Sequence, residues 1–491
     1  MIGLALFALA AAAPASAASP DLLARLKLEP CDVAQINEAT GGPAAAVAGR
    51  CGTFVVPENR SVAGGRMLTL KTVVIPAKSA EPRAPIFFFS GGPGQASTDQ
   101  AQYFGELGHR QNHDLVFVDL RGTAVDSGLD CGLEGSDADP QSYLRPFLSA
   151  GVGYAACRDR LQSIADLTQY NTTISMQDVD ELRKALGYRQ INIVGGSYGT
   201  RAAIEYIRLF PDAVHAAALY SLVPPESRSP LDHAPASQRA LDLAFEQCRA
   251  QPACKAAYPD LETIVPTLMA QLKAKPAEVV IPHPATKAPI TVTLTDAAFA
   301  GALRVMLYGI DQQRRIPLLL HRAKSGDFVP FATAAMNSSR GFSKALRVGL
   351  LLSVACSEDS WRIAPDEPAR MSRGTFLGTA RTTGQLAACS VWPKGRPPAG
   401  FYDPPVSQVP VVLVSGQLDP VTPPSLGEIA RKRFPNSVHI IAPFGTHVPN
   451  DPSFDRMEEQ LFSTGSVAGL AEVATMKAES PPFALPDSAT E

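Results

Sequence analysis

Long stretches of one charge are missing from this chain. There is no basic block and no acidic tail, and the net charge is only −3. That leaves no electrostatic footprint for a nucleic-acid partner. After the N-terminal leader-like stretch there is no run of about 18 uncharged apolar residues, so no stable membrane insertion is expected. C-x-x-C pairs are missing as well, and with them the usual zinc and thiol-redox patterns. No metal cluster, nucleotide loop or coenzyme motif appears, so neither a metal nor a cofactor is expected. A hydrophobic content of 45% against 19% charged residues is that of a globular chain able to bury a sizeable core. Its 491 residues suffice for one large domain with an insertion, or for two domains.

The N-terminus reads as a secretory signal peptide over residues 1–18. An apolar run ends at Ala15-Ser16-Ala17, an A-x-A-like cleavage site, although no Lys or Arg precedes the run. The eight cysteines fit export to a periplasm or to the outside of the cell, where disulfides persist. Successive cysteines lie close enough to close local loops. By proximity alone the expected pairs are Cys31–Cys51, Cys131–Cys157, Cys248–Cys254 and Cys356–Cys389.

The most informative stretch is Ile191-Asn192-Ile193-Val194-Gly195-Gly196-Ser197-Tyr198-Gly199. A buried strand runs into Gly-x-Ser-x-Gly, and an amphipathic segment from Arg201 to Leu209 follows. Such a serine stands on a tight strand-to-helix turn at the positive end of a helix. A second feature is Ser90-Gly91-Gly92-Pro93-Gly94, directly after the apolar strand Ala84–Phe89. Glycines there let a backbone N–H point at an oxyanion. Arg121, in Asp119-Leu120-Arg121-Gly122-Thr123, is read as a structural brace for loops rather than a substrate ligand.

A small polar and Gly/Ala-rich segment is expected between Cys31 and Cys51, then strands over Gly52–Pro57, Met67–Ile75 and Asp114–Val118 and a helix over Gln177–Leu186; the alternation continues to about Leu222. The composition then changes at Pro224-Pro225. Residues 224–405 read as an inserted, mainly helical cap with one β-like piece, Thr291–Leu294. The alternation resumes after Val406, with strands over Val409–Val414 and Val438–Ile441. The expected organisation is therefore a first core part over 19–223, the cap over 224–405, a second core part over 406–465 and a tail over 466–491. The tail is Ala/Ser/Pro-rich and is expected on the surface or mobile.

In this frame Asp419 and His447 each follow a predicted strand. The order Ser197, Asp419, His447 is that of α/β-hydrolases. Ser197 attacks a carbonyl, His447 moves its proton, Asp419 orients the imidazole, and the N–H groups of Tyr198 and Gly92 hold the oxyanion. The other late histidine, His439, lies inside a strand and is read as structural. Asp451 and Asp455 lie too near the histidine loop and the last helix to serve as the acid.

The motifs SGGPG, DLRGT, GGSYGT, GQLDPVTP and GTH together resemble the proline iminopeptidase and secreted tripeptidyl aminopeptidase (TAP-like) branch of the α/β-hydrolases. The resemblance runs from about residue 50 to the end, and is looser in the cap. Two positions depart from it. Ser90 stands where many relatives have His, and Ala124 stands where a second Gly is usual. The resemblance implies a mostly parallel sheet flanked by helices, with an inserted cap. It also implies an exported serine exopeptidase that cleaves near the free N-terminus of peptides through an acyl-enzyme. Such an enzyme needs an acid for the substrate amine, and Glu358 is nominated ahead of its neighbour Asp359. The alternatives are a secreted esterase of small esters or lactones using the same three residues, and a binding protein on the same scaffold. The partner expected is a peptide substrate; oligomeric state is not readable here.

Overall fold

The computed structural model describes residues 19–36, 42–105, 108–124, 128–149, 153–476 and 479–486. The leader over 1–18 lies outside them. A long hairpin opens the described chain, formed by β1 (Leu26–Ile36) and β2 (Pro43–Pro57), with Leu26 opposite Phe54. This corrects the expectation of a small polar segment between Cys31 and Cys51 and of a β2 beginning only at Gly52. Gly and Ala hide the alternation in sequence, yet Val33 and Val47 turn inward and pair across the ladder.

β3 (Met67–Ile75) pairs antiparallel with β2 and with β5 (His113–Val118). β4 (Arg83–Phe89), β5, β6 (Ile191–Gly196) and β7 (Val214–Tyr220) run parallel, and β10 (Val411–Gly416) and β11 (Ser437–Ala442) extend them. The sheet order is β1-β2-β3-β5-β4-β6-β7-β10-β11. The central parallel strands are apolar along most of their length because both faces are covered. On β4, Ile86 to Phe89 are all buried, and Phe88 stacks on Phe117 of β5 with ring centres 4.6 Å apart.

Helices α1 (Thr172–Ala185) and α2 (Tyr198–Leu209) pack on one face. The last long helix, Pro452–Thr464, covers the other. α1 starts before Gln177, where the apolar spacing had suggested its start. Asn171 caps it by accepting from Ile174 N at 3.0 Å, and its first turn buries Thr172, Thr173 and Ser175. A polar first turn gives no apolar periodicity, but each of these hydroxyls has a partner.

Between β7 and β10 the described chain is mostly helical. It begins with α3 (His233–Ala250) and carries a second small sheet, the hairpin β8 (Ala277–Pro282) and β9 (Pro289–Leu294). Only part of β9 had been anticipated. Val279 and Ile281 of β8 alternate with exposed residues, a pattern too short to stand out against its surroundings. Most of this region, α4 (Asp296–Met306) included, has its own apolar core. α5 (Val348–Glu358) and α6 (Ala380–Val391) instead join the core of the main sheet. The tail also differs from expectation. Phe483 is buried beneath the Arg314 guanidinium, 4.3 Å from its ring centre, and Ala484 N donates to Arg314 O. One buried aromatic ring is enough to dock an otherwise polar segment.

All four expected cysteine pairs are disulfides. Cys356–Cys389 ties α5 to α6 across 33 residues. Replacing both by serine is expected to cost about 3–4 kcal/mol, from the loop-closure entropy returned to the unfolded chain. Urea unfolding of the double variant under oxidising conditions measures it.

Candidate active site

Ser197 stands between β6 and α2 with φ 55° and ψ −123°. A side-chain-bearing residue in that region costs on the order of 1–3 kcal/mol and persists only where its surroundings hold it. Here Ser197 N donates to Tyr220 O at 2.9 Å, and Thr200 donates to Ser197 O through both N and Oγ1. A Cβ at position 199 would lie 1.9 Å from Phe89 O, and one at 195 would lie 2.8 Å from Gly199 O. Only glycine allows strand and helix to approach this closely. α2 consequently begins at Tyr198, immediately after the serine, rather than at Arg201.

Asp419 follows β10 and is fully buried. Its Oδ1 accepts from the N–H groups of Val421 and Thr422, both at 2.8 Å. Its Oδ2 accepts from Ser221 Oγ and Thr422 Oγ1, both at 2.7 Å, and lies 2.9 Å from His447 Nδ1. Burial alone would push its pKa up. The adjacent His447 and the hydrogen bonds from His447, Thr422 and Ser221 outweigh that, and the net shift is downward. His447 follows β11. Its loop is drawn against the Asp419 loop because Gly416 carries no side chain: a Cβ there would meet Thr446 O at 2.0 Å.

Ser197 and His447 line one cavity of about 530 Å³, together with Gly91, Gly92 and Tyr198. No hydrogen bond joins Ser197 Oγ to His447 among the described residues. Contacts of this kind commonly tighten only when substrate is bound. Gly92, with φ +108°, and Tyr198, at the first position of α2, line the same cavity as the serine. Ser90 also lines the cavity, and its Oγ lies 2.9 Å from Ser97 Oγ.

Three residues outside the motifs complete the arrangement. Ser221, at the end of β7, donates to Asp419 and accepts from Val448 N at 2.7 Å, so it links the acid to the histidine loop. The Tyr308 ring meets the His447 ring edge-on at 4.9 Å. Asp232 lines the cavity with no ion-pair partner among the described residues, and burial raises its pKa. None of the three sits in a recognisable pattern; only the break at Pro224-Pro225 pointed to this neighbourhood.

Two sequence readings hold. Arg121 is fully buried, and its donors go to Asp178 and to the carbonyls of Pro57, Glu58 and Gln169. It braces loops and does not line the cavity. His439 is held by Glu428 and Ser415. Glu358, nominated to meet a substrate amine, is not among the residues that line the cavity. Its carboxylate is buried away from the cavity lining, accepts from Thr172 N and Oγ1 at 2.8 and 2.9 Å, and lies 3.6 Å from Arg201 Nη1. Asp359 does line the cavity, but it is paired to Arg201 at 2.8 Å and to Arg362 at 3.0 Å. Adjacent residues at a helix end point in different directions, and here the inner one faces the core.

With this geometry in view, two family models match the chain. One, described as alpha/beta hydrolase fold, covers residues 84–252; the other, described as TAP-like protein, covers residues 374–471. The chain has the α/β-hydrolase fold and carries a segment that matches the TAP-like model. The hydrolase is similar to the tripeptidyl aminopeptidase of Streptomyces lividans, at 25% identity over 220 residues, 40% of this chain and 39% of that protein. It therefore spans well under half the length of that relative. It is also similar to serine protease Hip1 of Mycobacterium tuberculosis (strain ATCC 25618 / H37Rv), at 26% identity over 422 residues, 77% of each chain. Among solved structures, proline iminopeptidase of Mycobacterium smegmatis aligns at 12% identity with a TM-score of 0.36, covering 85% of this chain and 100% of that one.

Glu358 carries a pH signature. Burial raises its pKa from 4.5 to about 7, against the lowering effect of Arg201 and Thr172. The folded value exceeds the unfolded one, so the folded chain binds this proton more tightly. The group's contribution to stability is full below 4.5 and is lost as pH rises through about 7. The thermal midpoint of the native hydrolase minus that of Glu358→Gln is expected to fall across that window. A difference that is flat with pH would contradict the assignment.

Proposed function

We propose that this hydrolase is an exported serine exopeptidase that cleaves peptide bonds near a free N-terminus. The observation that carries the reading is the saturated Asp419 carboxylate bonded to His447 in the same cavity as the strained Ser197. Ser197 Oγ attacks the scissile carbonyl while His447 Nε2 takes its proton. Asp419 holds the tautomer and steadies the imidazolium. The N–H groups of Tyr198 and Gly92 hold the developing oxyanion. His447 then protonates the leaving amine, and water releases the acyl group by the reverse sequence.

The helices over 224–405 serve as a cap. They supply Asp232, His233 and Tyr308 to the cavity wall, which closes the cleft to folded chains while admitting peptide ends. Asp232 is the acid that meets the substrate amine, because its carboxylate is the cavity-facing one with no cation beside it in an ion pair. Peptide as substrate class rests on the peptidase names of the relatives. Export rests on the leader and the four disulfides.

Ser197→Ala is expected to lower kcat more than about 10³-fold and to abolish labelling by a fluorophosphonate. N-acetylation of a peptide amide substrate is expected to lower kcat/KM by about 10-fold or more, and Asp232→Asn to remove most of that discrimination. Equal rates on free and acetylated peptides end the exopeptidase reading. Ester turnover without peptide cleavage favours an esterase.

A further inference from the structure

Two arginines in the cavity wall have no ion-pair partner among the described residues. Arg304, on α4, is 4% exposed. Its Nη2 donates to Tyr308 Oη at 2.6 Å and lies 3.4 Å from His233 Nδ1, while its buried Nε has no partner. Arg381, in the first turn of α6, donates from Nη2 to Gln385 at 2.9 Å. Its Nε and Nη1 are buried without partners, and its guanidinium lies 5.1 Å from the centre of the Phe147 ring. Among the described residues neither arginine forms an ion pair. The nearby acid, Glu134, is already taken by Tyr154 Oη at 2.6 Å and by Leu148 N. Both arginines also border an adjoining cavity of about 320 Å³.

Such an arrangement is expensive. A buried cation normally has an anionic partner, and an unmade hydrogen bond to a charged donor costs more than a neutral one. Burial, and next the charge of Arg304, pull the Arg381 pKa down to about 9. A ligand carboxylate would relieve both penalties, since guanidinium forks bind carboxylates in two-point fashion. The location is also specific. Arg304 bonds Tyr308, and Tyr308 packs on the His447 ring. The cations therefore stand on the histidine side of the cavity, where a protonated leaving group departs.

We propose that Arg304 and Arg381 form a carboxylate subsite that holds the free C-terminus of a short peptide's leaving portion. This rests on the peptidase reading above and narrows it. The cavity is of a size that encloses a ligand of a few residues, so one peptide can set its amine near Asp232 and its carboxylate on the arginines. The hydrolase then consumes short, doubly charged peptides of the kind endoproteolysis releases.

The test compares tripeptides and tetrapeptides with a free amine, each as the C-terminal acid and as the amide. Hydrolysis of p-nitrophenyl acetate is followed in parallel, with Ser197→Ala as the blank. For the native enzyme the acid is expected to show a KM about 10-fold or more below that of the amide at the preferred length. Arg381→Met is expected to remove the difference by raising the KM of the acid, while Arg381→Lys keeps part of it. The native comparison needs no variant, so a failure of Arg381→Met to fold does not affect it. Equal KM values for acid and amide, with ester and peptide turnover both dependent on Ser197, overturn the subsite and leave the peptidase reading standing. Absence of Ser197-dependent turnover of any peptide overturns both.

Discussion

The buried carboxylate of Asp419 organises this molecule's functional edge. A charge removed from water must be met by donors, and four protein groups besides His447 supply them. Two come from the backbone of its own turn and one from Thr422. The fourth comes from Ser221, just after β7, and the same hydroxyl receives Val448 N from the histidine loop. The loops after β7, β10 and β11 are thus bound to a single anion. Removing any one donor would leave a charge short of partners, so the network resists rearrangement as a unit. Its position at the C-terminal ends of parallel strands is where open α/β sheets build their sites.

The serine turn depends on a different constraint, close approach rather than charge. Phe89 O occupies the space that a side chain at 199 would need, and Tyr220 O and Thr200 hold the backbone in its unfavourable region. Behind it lies a polar layer. Thr172 bonds both Tyr198 and Glu358, and Arg201 meets Asp359 and Glu358. This layer joins α1, α2 and α5. It explains why α5 belongs to the core of the sheet although it lies between β7 and β10 in the chain, and why Glu358 points inward.

The parts of the fold that were legible in sequence share one property: their residues carry the signal themselves. The continuous apolar run of β4 and the Gly-x-Ser-x-Gly turn need no distant partner to be recognised. β3, β5, β6 and β11 were found nearly to the residue for the same reason. The failures share the opposite property. β1 and the first half of β2 are rich in short side chains and reveal themselves only as a ladder. The first turn of α1 is polar because the hydroxyls of Thr172 and Thr173 serve residues 26 to 186 positions away. Phe483 looked like part of a loose tail because nothing local marks the surface beneath it.

Sequence alone indicated most strands of the main sheet, the cysteine pairing by proximity, and the order of the candidates Ser197, Asp419 and His447. These follow from local pattern and from short loop closures, which the chain expresses without folding. Tertiary structure decided what each polar side chain faces. It turned Glu358 into the core and left Asp232 on the cavity, and it recruited Ser221 to the acid. It also brought Arg304 and Arg381 to one cavity wall without an ion-pair partner among the described residues. Facing is set by where distant elements pack, and burial then fixes which charges are satisfied inside the chain and which are left for a ligand.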